Sequence, residues 1–584
     1  MYSHGARPMA DGRTRFALWA PSCRRVDLQL LDGSQHRLTP KDDGWFVLLL
    51  DCPAEASYRY LIDEQWTVPD PASRRQVDDV HGFSQVVDPQ RYEWRHCGWH
   101  GRPWHEAVIY ELHVGLFGGF QQVEEHLPHL VDLGVTALQL MPLAAFSGRR
   151  NWGYDGVLPF APASCYGTPD ELRRLVDSAH AFGLMVFVDV VYNHFGPDGN
   201  YLGLYARQFF HEERATPWGA AIDFGRPQVR DFFCENALMW LLDYRIDGLR
   251  LDAVHAIDDD GFLRELASRV RAAVPAQRHV HLVLENENNA AHLLRDGFDA
   301  QWNDDGHNTL HVLLTGEDES YYADYAQAPT RKLATCLEQG FVYQGQANRH
   351  GRPRGEPSAD LPPHAFVLFL QNHDQVGNRA FGERLALLAE PDALKAATVL
   401  LLLCPMVPLL FMGEEWGCTR PFLFFTDYHD ELANAVREGR RNEFAEFSRF
   451  SDAHSRETIA DPNALASFLR SQPDLAPALE PQQRDWLAFY RGLLQVRRTR
   501  LQPGLQEARS LGAEVLGDAA VLARWRLGNG PTLSIALNLG TGAVHLPTPS
   551  AQAERLYTYR IEDADLRQEQ LPARSALVTL EPVQ

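Results

Sequence analysis

The chain has 584 residues, 45% of them hydrophobic, and a formal net charge of -22. That length accommodates a large barrel with smaller attached domains, and the composition is that of a globular chain rather than a disordered one. The acidic balance argues against nucleic acid or an anionic membrane surface as main partner and suits a neutral substrate such as a sugar, which needs no electrostatic steering.

Residues 1–95 carry short, partly alternating apolar runs, Arg15 to Ala20, Val26 to Leu30, Trp45 to Leu50 and Tyr58 to Ile62, separated by Gly, Pro and Asp turns. They predict a small antiparallel sandwich of the immunoglobulin-like kind. Over residues 96–500 the period changes, and strand-like runs alternate with helical ones. Strands are expected at 108–114, 137–141, 185–191, 248–251, 281–284, 298–302, 366–370 and 409–412. Helices are expected at 123–133, 169–182, 229–244, 262–274 and 392–403. Eight such repeats predict the α/β class and a (β/α)₈ barrel with enlarged loops. Polar, helical segments follow at 431–450 and 482–498. The β signal then returns at 520–525, 532–537 and 576–580, which predicts a C-terminal β-sandwich over 501–584.

The stretch from Ala396 to Met412 has almost no polar residue and approaches the length of a membrane span. Pro405 and Pro408 break it into a buried helix and a buried strand. The first residues lack the apolar core of a signal peptide, and the eight cysteines form no C-x-x-C pair. They read as reduced thiols in a cytoplasmic protein.

Active sites of such barrels lie at the carboxyl ends of the strands. The third predicted strand runs into Asp189-Val-Val-Tyr-Asn-His194, the fourth ends at Asp252, the fifth at Glu285, and the seventh leads into Asn372-His-Asp374. In Gly248-Leu-Arg-Leu-Asp252 the strand period puts Arg250 and Asp252 on one face, where the cation favours an ionised, nucleophilic carboxylate. Alone, that pair reads equally well as a structural ion pair. Three carboxylates converging on one mouth beside Arg250, His194 and His373 point to chemistry instead. A His/Asp/Glu cluster could hold a divalent metal, yet no H-x-H or H-E-x-x-H pattern is present, and Arg250 would oppose a cation. The other reading is glycoside hydrolysis by two carboxylates, with Glu285 kept protonated by its environment.

Those four segments resemble, in order and spacing, the signature regions of the α-amylase superfamily of glycoside hydrolases. The resemblance implies retention of configuration, with Asp252 as nucleophile, Glu285 as acid/base and Asp374 as transition-state stabiliser. Asn151-Trp-Gly-Tyr-Asp-Gly-Val157, Tyr192 to Tyr201, Thr216 to Ala220, Leu251 to Ile257, Asp299 to Asp305, Leu314 to Glu317 and Gln371 to Asn378 look, more narrowly, like the malto-oligosyltrehalose trehalohydrolase family. That likeness covers nearly the whole chain. It implies hydrolysis of the α-1,4 bond joining a maltooligosyl chain to its terminal trehalose, with maltooligosyl trehalose and related α-1,4-glucans as partners. The substrate contacts it implies are Tyr154, Asp155, His194, Arg250, His255, Asp304, Asp305, His307, Asn308, His373, Gln375 and Asn378. No cofactor and no metal is expected. A glycogen branching or debranching enzyme is the nearest alternative, and a non-catalytic glucan-binding barrel the alternative from another class.

Two departures stand out. The acid segment reads Leu284-Glu-Asn-Glu287, so Glu287, on the same face by strand period, rivals Glu285. The Asp304-Asp-Gly-His-Asn308 segment ends on an asparagine, which cannot titrate. The loop at Gly115 to Phe120 reads as short. Trp218, Trp416, Phe424 and Phe425 read either as cleft lining or as core.

Overall fold

The structure, a computed structural model, describes residues 2–216, 219–445, 447–474, 479–528 and 530–582. Eight parallel strands close into a barrel in chain order: Ile109–Leu112, Ala137–Leu140, Met185–Val190, Gly248–Leu251, His281–Leu284, Ala300–Trp302, Phe366–Phe369 and Val407–Phe411. Ile109 pairs with Leu409 to complete the ring.

Side chains alternate inward and outward along each strand. Ile109, Ala137, Phe187, Val283, Ala300 and Leu409 belong to one apolar cluster that fills the amino-terminal part of the barrel interior. Two residues further along the same inward column stand Glu111, Gln139, Asp189, Arg250 and Trp302, all buried. The interior therefore changes from apolar to polar toward the carboxyl ends. Gly248 lets this happen on the fourth strand. A Cβ there would lie 2.7 Å from the Phe187 ring and 2.9 Å from the His281 carbonyl oxygen, inside van der Waals contact.

The helices follow their local signals. Pro169–Ala181 begins at a Thr168/Glu171 capping box with proline in its first turn. The expected 229–244 helix is an α-helix at Pro227–Leu238 that widens into a π turn at Met239–Asp243. Gly115 to Phe120 is not a loop. Val114–Phe117 forms a helical turn, and Phe120–Leu133 starts directly after Gly119.

The apolar run is a buried helix, Pro391–Leu403, followed by the eighth strand. That strand begins at Val407 and includes Pro408, which near the strand's start removes only one ladder donor. No helix among the described residues is long and apolar enough to cross a membrane.

Before the barrel lie a four-stranded and a five-stranded antiparallel sheet within residues 5–85. After it comes a five-stranded sheet built from Arg509–Gly517, Ala520–Arg526, Thr532–Asn538, Ser575–Glu581 and Glu554–Tyr559, with a two-stranded pair beside it. The first and last of those five strands are partly exposed and polar, and gave no alternating signal.

Candidate active site

Arg250 is the fixed point of the barrel mouth. Its Nη1 donates to both oxygens of Asp189, at 3.0 and 2.9 Å, and to Oδ1 of Asp252 at 2.6 Å. Its Nη2 lies 3.7 Å from Glu285 Oε2, and its plane rests 4.3 Å above the Trp302 ring. A buried guanidinium so surrounded stays charged, because the carboxylates outweigh the desolvation that disfavours the cation. Burial pushes the Asp189 carboxyl up to about 7 against the pull of Arg250. Asp189 also accepts from the Tyr154 hydroxyl at 2.7 Å.

Asp252 accepts in addition from Asn193 Nδ2 at 3.3 Å. The next residue, Ala253, has φ 40 and ψ 49, a left-handed conformation that costs a non-glycine residue about 1 kcal/mol. This turn aims the Ala253 N–H at Glu285, whose Oε2 accepts it at 2.6 Å. The strained residue thus links the end of the fourth strand to the end of the fifth. Glu285 is pushed up, first by burial and then by the Asp252 and Asp374 carboxylates, while Arg250 opposes the rise. The rise favours the protonated form of this carboxyl.

Asn372 caps the short helix His373–Gly377 by accepting the Gln375 N–H at 2.9 Å. The cap holds His373 and Asp374 at the end of the seventh strand. Glu111, at the end of the first, accepts from His373 Nδ1 at 2.6 Å and from its backbone N–H at 2.9 Å. Burial alone would depress His373, but Glu111 and Asp374 together outweigh it and raise the imidazole to about 9. Tyr154 stacks on this ring, 5.0 Å between centroids and 21° from parallel. Asp374 lies 3.5 Å from His373 Nε2, accepts from Asn378 Nδ2 at 3.1 Å, and is otherwise open to the cleft.

Asp304 is raised to about 8 by burial and then by Glu285, and it accepts from Gln375 Nε2 at 3.4 Å. His194 places Nε2 2.9 Å from the Tyr154 carbonyl oxygen and Nδ1 2.5 Å from Asn193 Oδ1, and the one N–H of a neutral ring can serve either. Asp155 accepts from Asn151 Nδ2 at 2.7 Å, behind Tyr154. His255 Nδ1 accepts the Glu287 N–H at 3.4 Å. Among the described residues no group of three or more His, Cys, Asp or Glu is arranged to hold a metal ion.

Comparison with known proteins agrees with this geometry. The model of the alpha amylase catalytic domain matches residues 89–212, and that of a domain of unknown function, DUF3459, matches 508–578. A malto-oligosyltrehalose trehalohydrolase of Deinococcus radiodurans is 42% identical over 85% of this chain and 82% of its own length. One from Rhizobium sp. (strain M-11) is 38% identical over 98% of both. The chain belongs to the malto-oligosyltrehalose trehalohydrolase family. Beside these trehalohydrolases, the crystal structure of a candidate alpha amylase from Salmonella typhimurium superposes over 100% of both chains with TM-score 0.93 and 43% identity. A pullulanase from Anoxybacillus sp. LM18-11, 16% identical at TM-score 0.72, shares the fold. A 1,4-alpha-glucan branching enzyme of Rubrobacter xylanophilus matches only 44% of this chain.

Not every residue suggested by the trehalohydrolase resemblance reaches the cleft. Asp305 is fully buried and saturated: Asn289 Nδ2 donates to it at 2.9 Å, the Tyr325 hydroxyl at 2.5 Å, and the Val342 and Tyr343 N–H groups at 2.8 and 3.0 Å. Consecutive helical residues point about 100° apart, so the helix Asp304–Thr315 presents Asp304 to the mouth and turns Asp305 away from it. Asn308, one turn on, lies against Tyr325 on that same hidden side. His307 is buried too, with Nδ1 bonded to the Leu370 carbonyl at 2.9 Å. Glu287 does not share the face of Glu285. The strand stops at Leu284 and the chain turns, so the two-residue period lapses and the Glu287 side chain is 71% exposed. Trp416 and Phe425 are core, Phe424 packs against Trp152 at the rim, and Trp218 lies outside the described residues.

Other residues of the site escaped sequence reasoning. Glu111 is an ordinary strand glutamate until the barrel closes and brings it to His373. Arg354 comes from the hairpin Gln344–Ala347 and Pro353–Gly355. It donates to the Glu287 carbonyl at 2.9 Å and to the Tyr325 hydroxyl at 3.0 Å, and it pulls Asp304 down against burial. No local motif marks it.

Proposed function

We propose that this chain hydrolyses the α-1,4-glucosidic bond next to the terminal trehalose of maltooligosyl trehalose, releasing trehalose and a maltooligosaccharide with retention. Asp252 attacks the anomeric carbon and forms a covalent glycosyl ester. Glu285 gives its proton to the departing trehalose oxygen, then takes one from the water that cleaves the ester. Asp374 and protonated His373 hydrogen-bond hydroxyls of the reacting sugar, and Tyr154 lies along its face. Arg250 keeps the nucleophile's charge fixed and oriented.

The observation that carries this reading is the sharing of one buried guanidinium by Asp252 and Glu285. It supports a close pair of carboxylates, as in retaining enzymes at about 5–5.5 Å rather than the wider inverting spacing. The full-length likeness to trehalohydrolases supports the choice of substrate.

The test uses maltotriosyltrehalose, maltopentaose and amylopectin in separate incubations, followed by assay of free trehalose, reducing ends and branch points. Trehalose and maltotriose are expected from the first, with slower action on the others. Preferential release of maltose, or new branch points, refutes the reading. Glu285→Gln should abolish turnover while Glu287→Gln retains it, and the reverse result would move the acid role to Glu287.

A further inference from the structure

A cavity of about 1090 Å³ lies between the amino-terminal sheets and the outside of the barrel, walled by the segments 2–10, 87–94 and 231–245 together with Arg74, Arg173 and Arg269. We propose that it is a binding site for a small phosphorylated metabolite, a sugar phosphate or a nucleotide, whose phosphoryl group is held by Arg7, Arg74 and Arg245. It is a second site, apart from the catalytic mouth. Residues 239–245 lead into the amino end of the strand Gly248–Leu251, whereas Asp252 leaves its carboxyl end, and none of Asp252, Glu285 and Asp374 lines the cavity.

The charge pattern carries the assignment. In a chain of net charge -22, five arginines line this one cavity. Two of them have carboxylate partners: Arg269 Nη1 donates to Asp231 at 2.6 Å, and Arg173 Nη1 to Asp170 at 2.7 Å. Among the described residues, the guanidiniums of Arg7, Arg74 and Arg245 make no hydrogen bond and no ion pair, and Arg74 Nη1 is buried in that state. The other carboxylates of the lining do not neutralise them. Glu235 is taken by the amino terminus, accepting from the Ser3 N–H and hydroxyl at 2.6 Å each, and Asp88 accepts the Gln90 N–H at 3.0 Å. Asp243 remains, and burial pushes it up against the pull of Arg74, the Tyr2 hydroxyl, Arg173 and Arg7. Three unpaired cations beside one weakened anion form a site that a phosphoryl dianion completes. A neutral glucan would leave the same cations uncompensated.

The donors are held in place by rings. The Arg74 guanidinium lies 4.7 Å from the centroids of both Tyr2 and Phe160, and that of Arg245 lies 4.5 Å over Trp94, which meets Tyr92 edge-on at 5.0 Å. Stacking on an aromatic face fixes the guanidinium plane and leaves the N–H groups of its edge for phosphoryl oxygens. Trp94 and Tyr92 supply apolar surface for the rest of the ligand. The volume matches the upper end of the roughly 300–1,000 Å³ of small-molecule sites, which suits a whole sugar phosphate or nucleotide rather than a bare ion.

Calorimetry on the full chain compares glucose-6-phosphate with glucose, ADP with adenosine, and both esters with inorganic phosphate. At least one ester should bind about tenfold or more tightly than its unphosphorylated counterpart and than inorganic phosphate, and the tighter of the two identifies the ligand as a sugar phosphate or a nucleotide. The double variant Arg7→Gln, Arg245→Gln should weaken that binding about tenfold or more, as should Arg74→Gln. Arg74 also packs on Tyr2 and Phe160, whereas Arg7 and Arg245 are half-buried without hydrogen bonds, so the double variant tests the site with the fold intact. Failure of both esters to bind at millimolar concentration, affinity no greater than that of inorganic phosphate or of the unphosphorylated counterparts, or wild-type affinity in the double variant overturns the proposal. Maltopentaose should bind wild type and double variant equally, because it occupies the catalytic cleft. Weaker binding by the double variant would make the cavity a glucan site and overturn the proposal as well.

Discussion

Replacing Glu111 by glutamine isolates the charge of His373 with little change of shape. In the wild type the imidazole and the carboxylate are both buried, 2.6 Å apart, and His373 titrates at about 9 instead of 6.5. At 1.36 kcal/mol per pKa unit, that difference corresponds to about 3 kcal/mol favouring the protonated folded state. Because the folded value is raised, this contribution is present in full below 6.5 and is lost as pH climbs through about 9. In Glu111→Gln the desolvation that Glu111 offset acts with only Asp374 against it, and His373 becomes neutral near pH 7. Urea unfolding should then show a deficit of about 3 kcal/mol near pH 6 that shrinks near pH 9.5. On maltotriosyltrehalose, kcat/KM should fall roughly a hundredfold near pH 7 and recover partly near pH 5, where the imidazole regains its proton. A variant with the same stability deficit at both pH values, or with a wild-type pH profile, would show that Glu111 does not hold the charge of His373.

Asp305→Asn should act on the fold and not on substrate affinity. Losing the anion that receives the Tyr325 hydroxyl and two backbone N–H groups, and that faces Arg354, should cost about 3–5 kcal/mol and open residues 341–355 to limited proteolysis, with KM within about twofold of wild type. A large KM change in a stable variant would return Asp305 to the cleft. Glu317 is held well below the usual carboxylate range because its contacts with Arg379 and His311 outweigh burial, so its stabilisation is present above 4.5 and lost on acidification below that value. The unfolding midpoints of wild type and Glu317→Gln should therefore converge as pH falls from about 5 to about 3. A constant gap across that range would contradict the assignment.

Much of this molecule was legible without coordinates. The strand at Gly248–Leu251 and the one at His281–Leu284 have the boundaries read from the sequence, because short apolar runs flanked by polar residues carry their own period. The carboxylates Asp252, Glu285 and Asp374 were legible for the same reason, each sitting at or just beyond the end of such a run. The polar edge strands at 509–517 and 554–559 were not, since a half-exposed strand in a small sheet need not alternate.

The order of the elements and the side chains offered at each strand end follow from local sequence alone. Those depend on local periodicity, capping and turn chemistry, which act over a few residues. Only the closed barrel decided which of those side chains meet. It joined Glu111 to His373 across 262 positions, brought Arg354 from an inserted hairpin against the Glu287 carbonyl, and turned Asp305 inward while its neighbour Asp304 faced the mouth. It also ended the fifth strand at Leu284, which separated Glu285 from Glu287. Each of these outcomes depends on long-range packing and on burial, and burial sets both the cost of a charge and the partner that must offset it.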